Sequence, residues 1–208
     1  MTGESSGRRS VDERRQQLVE AAAEVIAADG LGQATTRRIT DHAGLALGIF
    51  HDSFGSKDDL LEAVIEDVGS EVEAALRDAV TEPDRGIETA LCEIVEAAWQ
   101  TVDDRPTQQL ARHELTVHAL RDDALRPVAI RQYERFAEAV VDTLEDVPDA
   151  PGGDTLEDLA RFVVATVDGL ALQRFVHPDR DAANRRVQLY LRLLSEDPLP
   201  AAAASRAS

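Results

Sequence analysis

Between Gly30 and Leu61 the chain reads GLGQATTRRITDHAGLALGIFHDSFGSKDDLL, and no other stretch restricts the fold so tightly. Two short helical segments are separated by one glycine, an aromatic loop follows, and a longer third helix then starts. Thr35 opens the first segment, where its hydroxyl can accept from a first-turn amide that has no intrahelical partner. Ile39 and Ala43 share one helix face, and Gly44 stands where a left-handed residue ends a helix. The second segment runs from Ala46 to Ser53, with Leu47 and Phe50 three apart. Ser56 is a good N-cap for the third, and Asp59 sits where a capping-box acid reaches back. Two helices around a tight turn make a helix-turn-helix, whose second helix enters the DNA major groove. An ordinary αα-hairpin can carry the same glycine turn, so spacing alone does not decide.

The stretch resembles the N-terminal domain of the tetracycline-repressor (TetR) family of transcriptional regulators. From Leu18 to Leu61, Ala22, Gly30, Thr35, Arg37, Ile39, Ala43-Gly44, Gly48, Phe54, Ser56-Lys57 and Leu60-Leu61 fall at the family's spacing in one ungapped register. The resemblance covers roughly a quarter of the chain. It implies a DNA site drawn from Thr35, Thr36, Arg37, Ala46, Leu47, Gly48, Ile49, His51, Asp52 and Lys57. His51 replaces a common family tyrosine, and Leu47 and Asp52 occupy positions that are often polar or basic. His51 can donate to phosphate, Leu47 can touch a thymine methyl, and Asp52 can accept only from a base amino group. Lys57 is the only lysine. The first turn of a helix disfavours a cation, which makes sense if Lys57 meets a DNA phosphate; the plain alternative is a surface lysine.

A net charge of −18 argues against phosphate binding until it is divided along the chain. Residues 1–57 hold seven cations and eight acids, against 15 cations and 32 acids in the remainder. The head is therefore near neutral, and the acidity of the rest would repel DNA and favour one docking orientation. Hydrophobic residues make up 43% and aromatic ones only 4%, with many strong helix formers. Met1–Ser10 has no signal-like apolar run, and its Arg8-Arg9 pair reads either as padding or as a basic arm. Lone Cys92 excludes an internal disulfide. A cytoplasmic protein with no membrane span follows as the expectation.

The first helix spans Val11–Asp29, and a long one from Asp58 to Ala79 carries a possible bend at Gly69-Ser70. Beyond a turn at Thr81–Asp84, apolar residues recur at helical spacing over Arg85–Val102, Thr107–Leu120, Ala124–Val147, Thr155–Val176 and Ala182–Leu194. The expected fold is all-α with about nine helices: a three-helix DNA-binding head at residues 1–57, a helical effector-binding and dimerisation domain at 58–195, and a disordered tail at 196–208. The last two helices are apolar on more than one side, which requires burial on more than one face. A homodimer made of two helices from each subunit would cover them, with Phe162, Val163, Val167, Leu170, Tyr190 and Leu194 at the interface. Dimerisation would set two recognition helices on a palindromic operator of double-stranded DNA.

His113-Glu-Leu-Thr-Val-His118 resembles a zinc-binding HExxH with one residue too many. Its histidines lie roughly 140° apart round the helix and cannot share a metal. No glycine-rich phosphate loop is present and nothing supports an enzyme, a metal or a cofactor. Trp99, Arg112, His113, Thr116, Tyr133, Phe136, Gln173 and Phe175 could line a pocket for an unidentified small-molecule effector, or simply pack a core. The expectation is a ligand-released repressor. The alternatives are a dimeric ligand- or protein-binding module whose head no longer binds DNA and, last, an enzyme on the helical core.

Overall fold

A computed structural model describes residues 11–81, Asp84 and 86–196, with side chains of helical residues described to Leu193. The Arg8-Arg9 arm, the 197–208 tail and the side chain of Leu194 lie outside the described residues. Among the described residues the order is α1 (Val11–Asp29), a 3-10 turn (Leu31–Gln33), α2 (Thr36–Ala43), α3 (Leu47–Ser53), α4 (Lys57–Arg77), α5 (Ile87–Asp104), α6 (Pro106–Ala119), α7 (Arg126–Leu144), α8 (Asp154–Val176) and α9 (Arg180–Glu196), with no strand. The all-α expectation holds.

Helix ends follow local chemistry. Asp122 Oδ1 accepts from Ala124 N–H at 2.8 Å ahead of α7, so that helix starts at Arg126 rather than Ala124. Pro127 is accommodated in its first turn, where an amide would be unpaired anyway. Asp179 accepts from Ala182 N–H at 3.0 Å and starts α9 two residues before the expected Ala182. That bond holds the Asp179 carboxyl below its ordinary range. α4 runs unbroken through Gly69-Ser70, for about 32 Å at ~1.5 Å per residue. Gly69 marks a close approach: a Cβ there would stand 2.5 Å from Gln132 Nε2.

The chain divides into two compact units that do not follow the expected boundary after residue 57. The first comprises the chain up to Val68 together with Ala111–Ala129. Its core joins Leu18, Ala22 and Ile26 of α1, Ile39, Phe50 and Phe54 of the helix-turn-helix, and Leu60, Leu61, Val64 and Ile65 of α4. Ala111, Leu115 and Ala119 of α6 belong to the same cluster, as do Leu125, Val128 and Ala129. Glu114 Oε1 accepts from Leu31 N–H at 3.0 Å, capping the turn between α1 and α2. The second unit comprises Gly69–Leu110 and the chain from Ile130 onward. Its core is a bundle of α5 (Leu91, Ile94, Val95, Ala98), α7 (Phe136, Val140, Leu144), α8 (Leu159, Val163, Val167, Ala171) and α9 (Ala183, Val187, Leu191). The 3–4 spacing within each set is what lets one stripe of every helix face the bundle.

Candidate nucleic-acid interface

α2 is capped at both ends by its own residues. Thr35 Oγ1 accepts from Arg38 N–H at 3.2 Å, and Gly44 adopts the left-handed conformation (φ 65°) with its N–H turned back on Thr40 and Asp41. Ile39 and Thr40 point inward and Arg37 outward. α3 follows after Leu45 and Ala46. Phe50 is its inward plug, 2% exposed, with its ring 5.9 Å from that of Phe54. With Phe50 inward, Leu47, Gly48, His51 and Asp52 share the open face of α3, while Ile49 is half-buried against the core. The His51 ring meets Phe50 edge-on, with ring centroids 5.4 Å apart. Of the sequence-predicted set, Thr35, Arg37 and Ala46 are also exposed, and Thr36 and Lys57 are half-buried.

The cations of this unit are not equivalent. Arg38 Nη2 lies 2.5 Å from Asp29 Oδ2, and Arg15 donates to the Ser53 carbonyl, so both charges have internal partners. Arg37 meets Asp41 only at 4.0 Å with both side chains largely exposed, a contact worth little. Its charge is therefore open to a phosphate. At the start of α4, Ser56 N–H donates to Asp59 Oδ2 and Asp59 N–H to Ser56 Oγ, each at 3.1 Å. This capping box is the one expected, and it changes the reading of Lys57. The box satisfies the amides of Ser56 and Asp59, two of the donors that a helix start offers, and leaves the Lys57 ammonium beside them.

The other candidate residues separate. Arg112, His113 and Thr116 are buried and belong to the first unit, where Thr116 Oγ1 donates to the Arg112 carbonyl at 3.0 Å. Trp99 and Phe136 are buried in the core of the second unit, and Tyr133 and Phe175 pack against that same core. Trp99 Nε1 donates to Asn184 Oδ1 at 2.9 Å, Tyr133 and Phe136 meet edge-on at 5.7 Å, and the Tyr133 hydroxyl donates to Asp168. Gln173 is exposed and does not join them. Asp168 is not among the residues expected from the sequence, because nothing local signals its pairing 35 residues away.

The expected dimer residues divide in the same way. Val163 and Val167 are in the protomer's own core, which leaves little of them for a partner. Phe162 is 56% exposed, Leu170 and Tyr190 are half-buried, and the Phe162 and Tyr190 rings lie 6.3 Å apart. Burial raises the Tyr190 hydroxyl above its ordinary pKa. The exposed apolar face instead runs through Phe162, Leu172 and Val176 on α8 and Leu189 and Leu193 on α9. It was hidden in the sequence because both faces of α8 are apolar, and only packing shows which one the protomer uses.

Two family descriptions match the chain: "Bacterial regulatory proteins, tetR family" over residues 18–64, and "Tetracyclin repressor-like, C-terminal domain" over residues 83–196. The nicotine-responsive transcriptional repressor HdnoR of Paenarthrobacter nicotinovorans is 24% identical over 187 residues, 88% of this chain and 96% of that protein. The regulator BetI 2 of Chromohalobacter salexigens is 43% identical over 63 residues, 30% of either chain. Among solved structures, a transcriptional regulator from Rhodococcus sp. Rha1 superposes with a TM-score of 0.71 at 20% identity, covering 89% of this chain and 99% of that one. The multidrug binding protein EbrR complexed with ethidium does so with a TM-score of 0.69 at 23% identity, covering 89% and 99%. These structural likenesses establish the fold, while the C-terminal description alone spans more than half of the sequence. With a helix-turn-helix whose α3 face stands open and family descriptions matched at both ends, the chain belongs to the TetR family and is a DNA-binding transcriptional regulator.

Proposed function

We propose that the protein is a repressor that binds a palindromic operator as a homodimer and leaves it when a small molecule binds. The observation that carries this reading is the open face of α3, Leu47, Gly48, His51 and Asp52, flanked by exposed Arg37 and by Lys57. Phosphate contacts by Arg37 and Lys57 would position the helix, and the α3 face would read bases. The apolar face of α8 and α9 supports a two-fold dimer. No helix among the described residues is long and apolar enough to cross a membrane, and the cytoplasm is the proposed compartment.

The effector is an aromatic organic cation in this reading. HdnoR is nicotine-responsive, and EbrR has been crystallised with ethidium and with malachite green. Here Tyr133 meets Phe136 edge-on and its hydroxyl donates to a carboxylate, Asp168, while Trp99 and Phe175 belong to the same core. Aromatic faces and a carboxylate in a low-dielectric setting favour a desolvated cation. Release is a population shift: the ligand must prefer the state that cannot bind DNA, and only that difference in affinity acts. α4, which begins at Lys57, is the proposed transmitting element.

Selection from random duplex DNA by the full chain should return a palindrome, and sedimentation should show a dimer. Selection of no sequence at low salt would favour the alternative that exposed Asp52 and Leu47 suggest, a dimer whose head no longer reads DNA. Lys57→Ala should weaken binding to all duplexes alike and flatten the salt slope by about 1; altered base preference would refute a phosphate role. Malachite green should raise the melting temperature of the DNA-free protein, as any ligand of the folded state does. Asp168→Asn should weaken dye binding by about tenfold, the loss expected for one charged partner. Equal binding by the variant would remove Asp168 from the effector site.

A further inference from the structure

The three helices that meet at the DNA-reading surface are not equally self-supporting. α2 has Thr35 and Gly44 at its ends, and α4 has the Ser56–Asp59 box. α3 has neither: its N-cap is Ala46, which offers no side-chain acceptor, and its C-cap Phe54 is extended rather than left-handed. At 7 residues it is also far below the length at which a helix persists alone. What fixes it must come from outside. Phe50 and Phe54 fix it toward the core. At its end Arg15 of α1 donates from Nη1 to the carbonyl of Ser53, the last residue of α3, at 2.8 Å. The same guanidinium stands 4.1 Å from the centroid of the Phe54 ring. A cation at a helix C-terminus meets both unpaired carbonyls and the negative end of the helix dipole, and stacking on the ring limits its freedom.

We propose that Arg15 is a positioning residue for operator recognition, a latch from α1 that holds the C-terminal end of α3 and so sets the angle at which Leu47, Gly48, His51 and Asp52 face the bases. It is distinct from the phosphate contacts, because its hydrogen bond and its ring contact are made within the protein. The proposal rests on the regulatory reading above for its DNA component, and on geometry alone for the hold on α3.

The test uses the full chain carrying Arg15→Met, Arg15→Lys or, as a control, Gln16→Ala, whose amide instead donates to Asp67 Oδ1 on α4 at 3.0 Å. Binding to the duplex selected by the wild type is measured across a salt series, and amide hydrogen exchange is measured without DNA. Arg15→Met should lose about tenfold in operator affinity, the scale of one charge-assisted hydrogen bond, with the salt slope unchanged. Exchange over residues 47–54 should quicken by about as much while that over α4 stays as it was. Arg15→Lys should recover part of both effects, since it restores charge and donor but not the flat stack, and Gln16→Ala should change neither. A salt slope flattened by about 1 would make Arg15 a phosphate ligand instead. Unchanged affinity, or exchange that rises equally throughout the unit, would also overturn the latch. A wild type that selects no duplex would sink the regulatory reading, and the exchange result would still decide whether Arg15 holds α3.

Discussion

Leu115→Ala is expected to destabilise the DNA-reading unit by about 2–5 kcal/mol, although the residue lies more than fifty positions beyond the recognition helix. Leu115 is 1% exposed and sits in one cluster with Leu18, Ile26, Leu61 and Ile65. Shortening it leaves a cavity whose lining loses its contacts, and a few kcal/mol is a large part of the ~5–15 kcal/mol that holds a domain together. Amide exchange over α1 and the first turns of α4 should accelerate, and DNA affinity should fall as the folded head becomes less populated. Val117→Ala is the control on the same helix. At 52% exposed, Val117 should change stability by no more than about 0.5 kcal/mol. If Leu115→Ala left α1 and α4 as protected as before, the core described for this unit would be wrong.

Phe50→Ala should abolish operator binding outright. Phe50 is 2% exposed, and its ring contacts Phe54 and His51. Removing a buried phenylalanine costs about 3–5 kcal/mol, and here the loss falls on a helix with no local cap at either end. The side chains on the open face of α3 would keep their identity and lose their alignment. Because Phe50 belongs to the first unit, the proposed dimer through the α8–α9 face and the proposed dye binding by the second unit should be unaffected. A Phe50→Ala protein that still bound the selected duplex with undiminished affinity would show that α3 is not the reading helix. One that had also lost its dimer would show that the damage was general.

The parts of the molecule that were legible in advance are those decided by neighbours in sequence. Thr35, Gly44 and the Ser56–Asp59 pair act over three or four residues, so their patterns fixed the helix-turn-helix and its flanks. α1 runs from Val11 to Asp29 as its spacing predicts. What was hidden depends on distant pairings. Arg15 was one of seven head cations until its 38-residue link to Ser53 appeared. Asp168 found its partner, Tyr133, 35 residues away. On α8, Phe162 and Val163 are equally apolar neighbours, yet one is exposed and the other fully buried. Hydrophobicity selects what is buried by something; the position of the other helices selects whether that something is the same chain.

The discontinuity of the first unit governs how this protein can be recombined. Its core is closed by Ala111–Ala129 as much as by the chain up to Val68, so the residues between them are in effect an insertion into it. A chimaera cut after residue 68 would transplant the helix-turn-helix without one wall of its support, leaving Leu60, Leu61 and Ile65 facing a foreign α6, and a cut after residue 57 would leave those three behind as well. A transplant that keeps its DNA preference must carry Leu115, Leu125, Val128 and the Glu114 cap on Leu31 along with it. The support of the head and the packing face of α6 are therefore tied together in this chain, and a contiguous cassette of the first 68 residues is expected to lose stability unless the recipient's α6 offers the same apolar face.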